Sequence, residues 1–186
     1  LSEGADPHVI ITKGLIGSMS IVGERFKNGD MFIPEVLMST NAMHKGLDLV
    51  NPLLSESDQK PRGKFIIGTV AGDIHDIGKK IVSFLLEGNG FEVIDLGVDV
   101  QDEIFVQAIE EHKPDILGMS ALLTTTMPNM GTVIDLLKEK SIRDKVKIIV
   151  GGASVNQEFA DSIGADGYAA EAVSAVEWAK KIIEIS

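Results

Sequence analysis

Asp73 and His75 stand two residues apart in Gly72-Asp73-Ile74-His75-Asp76-Ile77-Gly78, a spacing that lets one carboxylate reach a ring nitrogen of the imidazole. With that nitrogen engaged, the other is free to point away, the arrangement of a metal-ligating histidine with a carboxylate behind it. Such a pair standing alone in a loop is more often a helix cap beside a surface histidine than a metal site. Gly78 withholds a side chain where the next helix begins, so something bulky can lie against the backbone. Two later apolar runs end in small or hydroxylic residues: Ser120 with Thr124, Thr125 and Thr126, and the pair Gly151-Gly152. Such hydroxyls cap helices or meet a ligand, and such glycines turn the chain or admit a flat group.

The elements that must position these residues are visible in the patterning. Strand-like stretches at 64–70, 92–96, 115–120, 146–150 and 167–169 alternate with helix-like stretches at 78–88, 101–112, 127–139, 155–163 and 171–184. The first of them, rich in β-branched residues, suits a strand covered on both faces. Five β–α units with short connections predict a flavodoxin-like (Rossmann-like) doubly wound parallel sheet of order 2-1-3-4-5. Its switch point places the Asp73 loop beside Ser120–Thr126, and four strand ends with small or hydroxyl residues predict a deep slot. No Gly-x-Gly-x-x-Gly follows the first strand and no Walker lysine is present, so dinucleotide and P-loop nucleotide binding lack support. A receiver-type regulatory domain would need an acidic cluster and a phosphoacceptor aspartate where Ser120 and Thr124 stand.

Upstream, Ile11, Leu15, Met19, Val22 and Phe26 recur at helical steps after Asp6-Pro7, and the spacing predicts one helix from Pro7 to Phe26. Lys27–Asp30 breaks it, and Pro34 opens a second helix with a face of Val36, Thr40, Met43, Leu47, Val50 and Leu54. Two such helices cannot bury their faces alone. His44 lies off that stripe and reads as an exposed or packing side chain. A polar stretch with Pro61 and Gly63 at its end marks a linker, giving a helical cap domain over 1–54, a linker over 55–63 and an α/β domain over 64–186. Leu1–Pro7 reads as a helix end and turn, with material trimmed upstream.

Composition narrows the function. The chain has 186 residues, 44% hydrophobic and 24% charged, enough for a packed core. A net charge of −11 argues against a nucleic-acid partner gripped through phosphates and against an anionic membrane surface. With no cysteine, disulfides, iron–sulfur clusters and thiolate zinc sites are excluded. No apolar run spans a bilayer and nothing reads as a signal peptide, so a soluble cytoplasmic protein is expected.

Gly72-Asp73-Ile74-His75-Asp76-Ile77-Gly78-Lys79, followed by Ser120-Ala121-Leu122 and Gly151-Gly152, resembles the cobalamin-binding module of B12-dependent methyltransferases. Gly23–Pro34 resembles the helical cap of the same family, so the likeness runs nearly end to end. It covers the free-standing corrinoid proteins of anaerobic methyl-transfer systems and the matching region of cobalamin-dependent methionine synthase. The resemblance implies His75 as the lower axial ligand of cobalt in place of the cofactor's own base. It implies Asp73 on the distal imidazole nitrogen, and Thr126 as third relay member where the family usually has Ser. Gly72, Asp76, Ile77 and Gly78 would complete the cofactor-binding loop. Ser120, Leu122, Thr124, Gly151, Gly152 and Ala170 would line the slot for the displaced nucleotide. Phe26 and Ile33 would cover the upper face of the corrin.

The implied cofactor is cobalamin or a related corrinoid, cycling between cob(I)alamin and methylcobalamin. The implied partners are a substrate:corrinoid methyltransferase, a corrinoid:acceptor methyltransferase and a reductive activase. The chain would then be a methyl carrier, not a complete enzyme. Other members of the wider group, an adenosylcobalamin mutase subunit or a B12-based sensor, share the Asp-x-His-x-x-Gly module. The Phe26–Ile33 cap speaks against the mutase; such sensors normally carry a DNA-binding domain, which is not visible in these residues and would lie upstream of them.

Overall fold

A computed structural model describes residues 6–54 and 60–185. The expected helix end at 1–5 and the part of the linker at 55–59 lie outside the described residues. Five parallel strands, β1 (Lys64–Thr69), β2 (Glu92–Asp95), β3 (Ile116–Ser120), β4 (Lys147–Gly151) and β5 (Gly167–Ala169), form one sheet in the order β2-β1-β3-β4-β5. That is the order and strand set the patterning predicts. Alternation decides which face each residue serves. Ile66, Leu117, Met119, Ile148 and Val150 enter one core, while Phe65, Ile67, Ile116 and Ile149 enter the other.

The first core is closed by α5 (Asp102–His112), α6 (Asn129–Glu139) and α7 (Gln157–Ile163), through Val106, Ile109, Val133, Ile134, Leu137 and Ala160. The second is closed by α4 (Ile77–Gly88) and α8 (Ala172–Ile185), through Ile81, Leu85, Leu86, Ala175, Val176 and Ala179. Burying a side chain such as Leu85, 1% exposed, contributes about 2 kcal/mol. Truncating it to Ala would cost about 3 kcal/mol through the cavity left behind.

The helical part is α1 (Pro7–Val9), a π-helical segment (Ile10–Ile16), α2 (Gly17–Lys27) and α3 (Ile33–Val50). The single regular helix expected from Pro7 to Phe26 is thus interrupted. The Gly17 N–H bonds the Thr12 carbonyl five residues back, the mark of a widened turn. The expected face survives in part: Leu15 within the segment, and Val22 and Phe26 beyond it, pack partly buried against the second core, and Met19 is buried. Glu35 accepts from the Phe32 N–H and so secures the start of α3.

Val36 and Met43 join Met19 in the second core, so the helical part packs on the outer side of α4. Gly88, at the end of α4, seats Met19: a Cβ there would stand 2.8 Å from Met19 Cε. Ser20 Oγ donates to Asn89 Oδ1 at 3.3 Å, and His44 Nε2 lies 3.4 Å from Glu87 Oε2. His44 is therefore a half-exposed side chain at the join, as its place off the stripe implied. Gly63, expected in the linker, is buried against Ile183 at the entry to β1.

Candidate functional site

The loop from β1 to α4 is held at both ends and in its middle. Thr69, fully buried, donates its hydroxyl to the His75 carbonyl at 3.0 Å. Asn129 donates its side-chain amide to the Ala71 carbonyl at 2.8 Å. Gly72 takes φ +79°, a conformation costly to other residues, and its N–H donates to Asp99 Oδ1 at 2.7 Å. The Asp99 N–H in turn donates to the Asp73 carbonyl at 2.9 Å.

Within this frame Asp73 is fully buried and every lone-pair direction has a donor. Its Oδ1 lies 2.7 Å from His75 Nδ1 and accepts from the His75 N–H at 3.1 Å. Its Oδ2 accepts from the Thr126 hydroxyl at 2.7 Å, the Leu122 N–H at 2.8 Å and the Leu123 N–H at 3.3 Å. Burial pushes the Asp73 carboxyl up, but the bonds from Thr126, from the His75 amide and ring, and from the Leu122 amide hold it well below the usual carboxylate range. An ionised Asp73 makes His75 Nδ1 the protonated nitrogen. That leaves Nε2, without a hydrogen-bond partner among the described residues, as a lone-pair donor on a side chain 47% exposed.

His75 stands at the mouth of a cavity of about 710 Å³ that runs inward between the strands and α4 and α8. Of the residues the sequence pointed to, Phe26, His75, Asp76, Ile77, Gly78, Ser120, Leu122, Gly151, Gly152 and Ala170 line it. Five stand elsewhere. Asp73 and Thr126 are buried behind His75, Gly72 serves the turn, Thr124 is exposed on the turn after β3, and Ile33 opens α3 at 37% exposure. Asp76 pairs with Lys80 one helical turn on, which holds its carboxyl below the usual value.

The glycines divide by cause. At Gly152, φ is +131° and a Cβ would sit 1.9 Å from the Ala121 carbonyl oxygen, so the fold itself demands glycine. At Gly151 a Cβ would lie 2.9 Å from the Ala169 carbonyl oxygen. At Gly78 a Cβ would meet nothing within 4 Å, in a wall of the cavity. The protein has no steric need of glycine there, which leaves the space for an occupant.

Sequence reasoning missed three parts of the site. The cavity floor, with Phe65, Ile67 and Ile81, read only as core. The small residues Ala172 and Ala175 of α8, three apart on one helical face, were the available signal for its far wall. Asp99 carried no local signal at all.

This arrangement of sheet, ligand loop and capping helices is that of a B12 binding domain, and family models so described match residues 63–177 and 1–51. The chain is 46% identical to a corrinoid protein of Desulfitobacterium hafniense, over 98% of this chain and 86% of that protein. It is 46% identical to dimethylamine corrinoid protein 1 of Methanosarcina acetivorans, over 96% and 84%. In structure it is similar to the methanol:cobalamin methyltransferase complex of Methanosarcina barkeri, with a TM-score of 0.87 and 36% identity over 100% of this chain and 70% of that one. The chain belongs to the B12-binding family, among the corrinoid proteins of methyltransferase systems.

Its cofactor is cobalamin or a related corrinoid, and the site fits one. A single imidazole supplies one nitrogen donor, and no group of three or more His, Cys, Asp or Glu able to hold a bare ion occurs among the described residues. A metal bound here must bring its remaining ligands, as a corrin does. The open wall at Gly78 and the largely hydrocarbon cavity beneath the mouth suit a large, mostly apolar molecule.

Proposed function

We propose that this chain carries a methyl group on its corrinoid between a substrate-specific methyltransferase and a second methyltransferase serving an acceptor such as tetrahydrofolate or a thiol coenzyme. The observation that carries the reading is the free Nε2 of His75 at the cavity mouth, with Nδ1 fixed on a buried, ionised Asp73. His75 would be the protein's ligand to cobalt. Asp73 and Thr126 would set its tautomer and its basicity from behind. Gly78, Ser120, Leu122, Gly151, Gly152 and Ala170 would line the path of the nucleotide that His75 displaces. Phe26, on a separate helical element packed over α4, would shield the reactive centre from water and move aside at each transfer.

When bound, the corrinoid supplies a cobalt that accepts a methyl group and surrenders it to a nucleophile. His75 would hold the cobalt through Nε2, while Asp73 would keep the proton on Nδ1. Relatives named for dimethylamine and trimethylamine support a small methylated amine as donor. A reductive activase would be the third partner, since a carrier without redox groups of its own needs outside electrons. The cytoplasm is the expected setting; no helix of the described residues is long and apolar enough to cross a membrane.

Refolding the chain with hydroxocobalamin tests this. The expected result is a red protein with a spectrum of displaced base and bound imidazole, which is methylated by a methylamine and its cognate methyltransferase once a low-potential reductant has supplied two electrons to the cobalt. A protein that binds no corrinoid, or binds it with the cofactor's base still on cobalt, contradicts the reading.

A further inference from the structure

We infer that the cavity selects among corrinoids by their lower base, favouring an apolar benzimidazole over a purine. This rests on the reading that the displaced nucleotide enters the cavity, and it concerns what the inner end of that cavity accepts. The floor is made of Phe65, Ile67, Ile81, Ile149 and Ala175, each at most 9% exposed and each pure hydrocarbon. Val82 adds a further methyl-bearing wall.

The polar side chains that touch the cavity do not serve its floor. His75, Ser120 and Glu171 stand at the ends of β1, β3 and β5, around the mouth. Asp76 is paired with Lys80. Lys79, its side chain 1% exposed, is held by both carboxylate oxygens of Asp95. Along β1, β3 and β4 the backbone donors and acceptors are committed to the parallel ladder. A base that reaches the floor therefore meets hydrocarbon.

The two classes of base differ in what they would leave unmet there. A displaced dimethylbenzimidazole brings one ring nitrogen and two methyl groups, which gain from burial. Adenine brings an exocyclic amine and several ring nitrogens, each losing water without replacement. One unmet hydrogen bond of ordinary cost lowers affinity about tenfold.

The test is titration of the cofactor-free protein with cobalamin, with its adeninyl analogue and with cobinamide, which has no base, following the visible spectrum of imidazole ligation. Cobalamin is expected to bind about tenfold more tightly than the adeninyl corrinoid. Val82→Thr, which places a hydroxyl in the wall at nearly constant volume, should narrow that ratio; Ala175→Ser serves if the first variant fails to melt cooperatively. A ratio below threefold, or reversed, overturns the inference. Cobinamide measures the affinity that remains when there is no base to seat. Equal affinities with the ligated spectrum intact would sink the selectivity alone, whereas no ligated spectrum with any of the three would sink the reading beneath it.

Discussion

The Thr126 hydroxyl donates to Asp73 Oδ2 at 2.7 Å, across 53 residues of sequence, on the side of the carboxylate opposite His75. Both groups are buried, so the bond lies where a hydrogen bond to a charged acceptor counts most. Thr126→Val keeps the shape and removes the donor. The expected cost is about 2 kcal/mol in urea unfolding of the cofactor-free protein, with Thr126→Ser restoring it. In the loaded protein Thr126→Val should also shift the absorption band that reports imidazole ligation, a readout that simple loss of stability would not move. A variant as stable as the parent with an unshifted band would remove Thr126 from the relay.

Asp99 braces the loop that carries Asp73 and His75. It stands at φ +52°, accepts from Gly72 and donates to the Asp73 carbonyl, so it closes the turn that presents His75. Asp99→Ala loses the acceptor and keeps the unfavourable backbone; Asp99→Gly loses the acceptor and relieves the backbone. Asp99→Asn keeps an acceptor and tolerates the left-handed region. Weaker corrinoid affinity is expected in both the Ala and Gly variants, by about fivefold for one exposed hydrogen bond, and near-parental affinity in Asn. If only the Ala variant is impaired, the residue serves the backbone and not the loop's anchorage.

Much of this could be read before any coordinates. Strands and their order were legible because β1, β3 and β4 are buried on both faces and read as continuous apolar runs. The Asp73–His75 contact was legible because it spans two residues. Thr126 was reached through family resemblance, and the geometry of the turn after β3 separates it from Thr124, buried against exposed. What stayed hidden depends on neighbours brought together by topology. Asp99 meets Gly72 because β2 lies beside β1, and Ala175 reaches the cavity because α8 packs against α4. The π-helical segment was hidden too, since its i to i−5 bond leaves no periodicity a helical-face reading would reject.

The lower edge of the sheet predicts an acid response of its own. Asp166 accepts from the Ile148 N–H at 2.8 Å and from Arg143 at 2.7 Å, with Lys147 at 3.4 Å. Burial raises its pKa, but these partners prevail and hold it below the usual carboxylate value. A group with a depressed folded pKa stabilises the fold above its unfolded value, about 3.9, and the contribution is lost as pH falls through the lower folded value. Asp166→Asn should therefore lower the melting temperature near neutrality, and the gap to the parent should close below about pH 4. A gap that stays constant down to the acid transition would mean that Asp166 contributes by shape and not by charge.

The central claim is that the imidazole of His75, and not the corrinoid's own base, donates to cobalt. The most direct measurement is electron paramagnetic resonance of the protein grown on heavy-nitrogen histidine, loaded with natural cobalamin and reduced by one electron. A nitrogen of spin one-half from the protein predicts each cobalt line split into two, with the splitting lost in His75→Ala. Lines split into three, the mark of natural nitrogen from the cofactor's base, would contradict the account.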